Sequence, residues 1–216
     1  MGRDYKRFDG YLSELTGDVY AQPPDGFHYA WGKQAIDALC SIVGGARNVL
    51  DVGCGQAVFA SLFESKGIEW TGVTIGQDFE EARKVHPNVY HADMTFLPFA
   101  DGMFDLAFAR HALEHSPFPV ITLMELRRVC HGHLILIVPA PDFWMVRGKN
   151  HYSVLPVNNW KWLLERGGWH PIHERMLKTT DPEFVNYNAR GSIVATEPPK
   201  DVEFWFLCEA AERVTE

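Results

Sequence analysis

The sequence is short of the features that would send it to a membrane, an oxidising compartment or a nucleic acid. No apolar run reaches the roughly 18 residues that a membrane-spanning helix needs. The N-terminus is polar and charged, so no signal peptide is expected. Four cysteines, at 40, 54, 130 and 208, lie far apart and form no C-x-x-C pair, so free thiols in a reducing cytoplasm are expected. Basic residues number 20 against 28 acidic ones, and the formal net charge of -8 does not favour a nucleic-acid partner. Only a local basic group, Arg127, Arg128, Arg147 and Lys149, keeps that partner open. Repeats and low-complexity tracts are missing too. What remains is a soluble α/β domain, for which 216 residues are enough to bury a sizeable core.

The stretch Val49-Leu50-Asp51-Val52-Gly53-Cys54-Gly55 organises the rest. A short β-branched run ends in a Gly-x-Gly, and Val58, Phe59, Leu62 and Phe63 then recur on one helical face. The unit reads as strand, tight turn, helix. Such a turn lets backbone approach a ligand at the carboxyl end of a strand. The dinucleotide pattern G-x-G-x-x-G is not met, because Val58 occupies its third glycine position. Asp51 sits inside the strand's end, where a carboxylate can attract a cationic ligand and would repel a pyrophosphate.

Residues 1–33 are aromatic and turn-rich and read as an N-terminal extension, either packed on the domain edge or folded over the site as a lid. The domain proper is placed at 34–216, opening on a helix through Ala35, Ile36, Leu39, Cys40 and Val43. Further strands are predicted at Ile68–Ile75, Asn88–Met94, Phe104–Ala109 and His133–Val138, the last apolar throughout as in a strand buried on both faces. Helices alternate with them, which implies a parallel sheet with right-handed crossovers. A helix over Asn158–Arg166, strands over Trp169–Leu177 and Val202–Ala210, and an insertion at about 179–200 complete the chain.

Taken in order, V-L-D-V-G-C-G, G-V-T-I-G-Q-D, A-D-M, L-P-F-A-D-G-M-F-D, A-L-E-H and R-R-V-C-H-G-H-L resemble the class I S-adenosylmethionine-dependent methyltransferases, in their small-molecule branch, over roughly residues 30–177. The resemblance implies a doubly wound, mostly parallel seven-stranded sheet in the order 3-2-1-4-5-7-6, with strand 7 antiparallel and helices on both faces. It implies S-adenosyl-L-methionine as cofactor, and no residue is assigned to a metal. The methionine end would lie over Asp51, Gly53, Cys54 and Gly55, and the adenine near Asp93 and Met94. Ala109 and Arg110 would border the sulfonium. One position departs from the family. Strand 2 usually ends in an acid that holds the ribose, and here Thr74 stands there, with Gln77 or Asp78 to supply the rest. On this reading, Gly53→Arg is expected to abolish cofactor binding while leaving the fold.

Methyl transfer asks mainly that the acceptor be placed in line with the methyl, with a base only where a proton must leave. His111 and His115 follow strand 4 and are the candidate catalytic residues; capping or surface roles are the plainer alternative. Tyr29, Trp31, Trp144, His151 and Tyr152 are candidates to bind a small-molecule, glycan or lipid-intermediate acceptor, the last three from a loop at about 139–157. Two rival readings stand beside this one. His111, Glu114 and His115 match an H-x-x-E-H zinc motif, and Thr74 leaves room for a cofactor-binding scaffold without turnover.

Overall fold

Alternation along the first strand sorts the molecule into layers. In β1 (Asn48–Val52), Val49 enters one apolar cluster while Leu50 and Val52 enter another on the opposite face of the sheet. The structure is a computed structural model that describes residues 5–16, 26–144, 150–181 and 200–212. β2 (Glu69–Thr74), β3 (Val89–His91), β4 (Phe104–Arg110), β5 (Cys130–Pro139), β6 (Trp169–Lys178) and β7 (Asp201–Ala210) complete a seven-stranded sheet. Its order is β3-β2-β1-β4-β5-β7-β6. The first five strands pair in parallel, and β7 runs antiparallel to both β5 and β6, as the sequence predicts. Leu134 to Val138 are fully buried, which explains an unbroken apolar run in place of alternation.

Helices cover both faces. α2 (Gly26–Val43), α3 (Ala60–Ser65) and α4 (Gln77–Val85) supply the first cluster with Trp31, Ile36, Leu39, Phe63 and Ala82. α5 (Pro119–Val129) and α7 (Val157–Arg166) supply the second with Leu123, Leu126, Trp160 and Leu164. α5 opens on a proline that needs no intrahelical donor and closes on Arg127 and Arg128, which suit the negative end of its dipole. A short α6 (Pro141–Trp144) follows β5. No described helix is long and apolar enough to cross a membrane.

The N-terminal region differs most from expectation. Tyr5–Thr16 form a helix, α1, and α2 begins at Gly26, several residues before the predicted domain start. Trp31, Ala35, Ile36 and Leu39 repeat at helical spacing and are all buried, so Trp31 belongs to the core helix. Gly32 lies on the same buried face and is glycine for a packing reason: a Cβ there would come within 2.2 Å of the Phe59 ring, so only glycine lets α2 lie this close. Residues 182–199 of the predicted insertion lie outside the described residues. Its base is closed, since Thr179 and Lys200 exchange hydrogen bonds of 3.0 Å in both directions.

Candidate functional site

The chain turns sharply after β1. Gly53 and Gly55 adopt φ of +72° and +52°, and the amides of Gly53 and Cys54 both donate to the Val73 carbonyl of β2 at 2.9 and 3.0 Å. The two glycines serve different ends. A Cβ on Gly53 would lie 2.4 Å from the Ala112 Cβ, whereas one on Gly55 would meet nothing within 4 Å. Gly53 is therefore bare for packing, and an arginine there would strain the fold as well as the site, contrary to the sequence expectation. Both glycines line a pocket of about 830 Å³, counting the part open to solvent, at the carboxyl ends of β1, β2 and β4.

Three acids behave differently around this pocket. Asp93, just beyond β3, lines it and is oriented by the Thr95 amide, which donates to Oδ1 at 2.7 Å. Asp78, in the first turn of α4, lines it too and accepts from Gln56 Nε2 at 3.0 Å. Thr74 and Asp78 thus face the same space. Asp51 does not line the pocket. It alternates with Val52, points to the opposite face, and accepts from Trp70 Nε1 at 3.0 Å. Burial pushes its carboxyl up to about 7, against the pull of that bond.

The segment after β4 carries the other half of the site. His111 lines the pocket at φ +47°, a left-handed backbone that a non-glycine residue adopts only where its surroundings hold it. Its Nε2 lies 2.8 Å from Glu203 Oε1 of β7, which also receives Arg110 Nη2 at 2.5 Å. Trp205 Nε1 donates to the other oxygen at 2.9 Å. Burial opposes the Glu203 charge, but Arg110 and His111 overcome that penalty and hold its carboxyl down at about 2. Glu114, fully buried in a 3-10 turn (Leu113–His115), has its Oε1 at 3.6 Å from His111 Nδ1. Burial lifts Glu114 to about 8. His115 Nδ1 donates to the Asn150 carbonyl at 3.1 Å, and the ring stacks edge-on to His151. Burial, helped by His151, drops His115 to about 4, so it is neutral near pH 7.

The pocket therefore gathers Gly53, Gly55, Thr74, Asp78, Asp93, Met94, His111 and His115 from the predicted set. Cys54, Gln77, Ala109 and Arg110 stand outside its wall, with Cys54 and Ala109 buried in the two cores. Tyr29 stacks on Phe59 at 5.9 Å between centroids, Trp31 is in the core, and the Tyr152 hydroxyl donates to the Leu15 carbonyl of α1 at 3.0 Å. The Trp144 side chain lies outside the described residues. Arg127 and Arg128, of the predicted basic group, are engaged within the fold: Arg127 with Ala211 and Cys130 carbonyls, Arg128 with Glu125, Asp101 and the loop 97–99. Arg147 and Lys149 lie outside the described residues. Sequence reasoning missed Glu203. Its signal was a lone acid inside the apolar run V-E-F-W-F-L-C of β7.

The zinc reading does not fit this geometry. H-x-x-E-H binds metal when both histidines share one α-helical face. Here His111 precedes a 3-10 turn, and its Nε2 is held by Glu203. Among the described residues, no group of three His, Cys, Asp or Glu side chains is placed to hold a metal ion.

A family profile described as a methyltransferase domain matches residues 50–137, the span from β1 through β5 that builds the pocket. Over residues 50–137 the chain matches a methyltransferase domain, and its sheet order is that of the class I fold. An uncharacterized methyltransferase of Mycobacterium sp. (strain KMS) is 39% identical over 131 residues, 58% of this chain and 46% of the relative. A ubiquinone biosynthesis O-methyltransferase of Erwinia tasmaniensis is 27% identical over 126 residues, 55% of this chain and 46% of the relative. The chain thus spans about half the length of the curated relatives it matches. Among solved structures, the geranyl diphosphate C-methyltransferase of Streptomyces coelicolor A3(2), in complex with Mg2+, geranyl diphosphate and S-adenosyl-L-homocysteine, aligns with a TM-score of 0.66. Identity is 14%, over 84% of this chain and 79% of that one, so the likeness bears on the fold.

S-adenosylmethionine is the methyl donor of this family, and the residues present fit it. The bare, open Gly55 admits close approach of a ligand. Ile75, Ala92 and Met94 make apolar walls suited to a purine, and Asp78 and Asp93 offer acceptors for hydroxyl and amino hydrogens.

Proposed function

We propose that this methyltransferase moves a methyl group from S-adenosylmethionine to a small organic acceptor. The observation that carries the reading is the pocket at the carboxyl ends of the parallel strands, where the glycine turn, two carboxylates and the histidine segment face one space. In this proposal Asp93 accepts from the adenine amine, Met94 lies against the ring, and Asp78 with Thr74 binds the ribose hydroxyls. Asp78 thereby supplies the charge that strand 2 lacks, which removes the feature that had favoured a scaffold without turnover. The bound donor supplies an electrophilic methyl on a sulfonium. The chain's own residues then have three tasks. Gly53, Gly55 and Ala112 shape the floor, His111 faces the acceptor as its base, and the buried surroundings keep water away.

The N-terminal extension is proposed as the lid of this site. Phe8 of α1 packs on Phe118 and Phe96 with centroids 5.4 and 6.4 Å away, and those two residues adjoin the pocket-lining Pro117 and Thr95. Tyr152 pins the far end of α1 through Leu15. The small-molecule acceptor class is supported by a largely apolar pocket and by the O-methyltransferase among the relatives.

Calorimetry with S-adenosylmethionine and S-adenosylhomocysteine tests the cofactor reading. A panel of phenols, organic acids and amines, assayed by release of S-adenosylhomocysteine, tests transfer. Binding of both nucleosides with turnover on one acceptor class is expected. Absence of binding would overturn the whole proposal, and binding with no turnover on any class would return the scaffold reading.

A further inference from the structure

Asn150 stands between α6 and α7, in the stretch that follows β5, and lines the pocket. Only 2% of the residue is exposed, yet neither Nδ2 nor Oδ1 of its amide has a hydrogen-bond partner. Leaving a buried donor and a buried acceptor both unmade is costly, and folded chains seldom keep such a pair without a use. The backbone around it is tied down. The Asn150 carbonyl accepts from His115 Nδ1 at 3.1 Å, and the His151 ring packs edge-on against that histidine. Three residues on, the Ser153 amide donates to the Glu114 carbonyl and its hydroxyl to the Ser116 carbonyl, each at 3.0 Å. The stretch is thus strapped to the turn after β4, and it cannot carry the amide out to water without breaking these bonds. The terminal torsion of an asparagine is broad, so the amide plane alone can turn toward a ligand.

We infer that the Asn150 side chain sets specificity by receiving an uncharged, planar donor–acceptor pair on the methyl acceptor, such as a carboxamide or lactam. The inference rests on the methyl-transfer reading and narrows its substrate class. Because the sheet runs β3-β2-β1-β4-β5, Asn150 lies across the pocket from Asp78 and Asp93, the groups proposed for the nucleoside. The β4 and β5 side is left to the acceptor. An asparagine amide offers a donor and an acceptor in one plane, which a carboxamide or lactam matches with two parallel bonds. Its Nδ2 donates to the ligand carbonyl, and the ligand N–H donates to Oδ1. A carboxylate brings no hydrogen to Oδ1, and the pocket offers it little counter-charge. Among the described residues of the wall there is no lysine or arginine, and burial keeps His115 neutral near pH 7.

The test is an NMR titration of three probe fragments, benzamide, N,N-dimethylbenzamide and benzoate, into the whole protein saturated with S-adenosylhomocysteine. The side-chain amide resonances of Asn150 are followed, and calorimetry of the same samples reads nucleoside affinity. Benzamide is expected to bind at least about tenfold more tightly than either other probe, since each of those leaves one amide atom unpaired. It should also shift both Nδ2 hydrogens. Asn150→Leu, close in size and without polar atoms, should erase the preference while leaving S-adenosylhomocysteine affinity within about twofold. A merely structural amide would give no ranking among the probes. Absence of benzamide binding at millimolar concentration, equal affinity for the three, unmoved Asn150 resonances, or a preference kept in Asn150→Leu would each overturn the inference. Should that variant fail to fold, the wild-type ranking and resonances decide alone. Failure of the wild type to bind the nucleoside would instead strike the methyl-transfer reading, so the two failures are told apart.

Discussion

Replacing Asp78 tests how this domain binds a ribose without an acid at the end of β2. The carboxylate is nearly buried and lines the pocket, with one oxygen engaged by Gln56 Nε2 at 3.0 Å. A hydrogen bond from a ribose hydroxyl to a charged acceptor is worth about 1.5–3 kcal/mol. Asp78→Ala should therefore weaken S-adenosylhomocysteine by roughly 10- to 150-fold. Gln56 is only half-buried, so water can take up its freed amide and the fold should stay intact. The assay is a double-mutant cycle by calorimetry, with the protein variant on one side and an analogue lacking both ribose hydroxyls on the other. If Asp78 reads the ribose, losing the hydroxyls should cost the wild type about what the mutation costs, and cost the variant little more. Fully additive losses would refute the assignment, whatever the size of each.

Three further outcomes follow from the geometry. Asp51 and Glu114 hold protons in the folded protein that the unfolded chain has already lost, so rising pH favours unfolding between about pH 4 and the folded values near 7 and 8. Asp51→Asn keeps an acceptor for Trp70 and should remove up to about 4 kcal/mol of that loss, read as a flatter Tm against pH; an unchanged profile would mean the carboxyl is not buried as described. Gly53→Ala and Gly55→Ala should separate fold from site. Each carries a left-handed strain of about 1–2 kcal/mol. The first should also unfold earlier through its overlap with Ala112, while the second should chiefly lower S-adenosylhomocysteine affinity; equal melting and equal binding would contradict the distinction. Phe8→Ala should loosen α1, raising its hydrogen exchange and the acceptor KM while sparing nucleoside affinity, and unchanged exchange in α1 would dismiss the lid.

Local pattern carried most of the sheet. The β-branched run before Gly53 and the unbroken apolar β5 each report a strand whose burial is set by its immediate neighbours. The glycine turn was legible for the same reason, because positive φ is a local demand. Side-chain direction within the motif was harder to read. Asp51 belongs to the family signature, yet its place in the β1 alternation sends it to Trp70 and away from the pocket. Glu203 lay further beyond reach, since its partner Arg110 is 93 positions away and only the antiparallel pairing of β7 with β5 brings them together. Tyr29 and Trp31 read as free aromatics because Gly32 is a poor helix former, and the Phe59 ring that requires this glycine inside α2 comes from a different segment.

The most direct measurement is a crystal structure of the protein with S-adenosylhomocysteine. The account predicts the nucleoside in the crevice beside Gly53 and Gly55, its adenine at Asp93, its ribose at Asp78, and its sulfur turned toward His111. A crevice left empty at saturating nucleoside, or a ligand bound at another edge of the sheet, would contradict it.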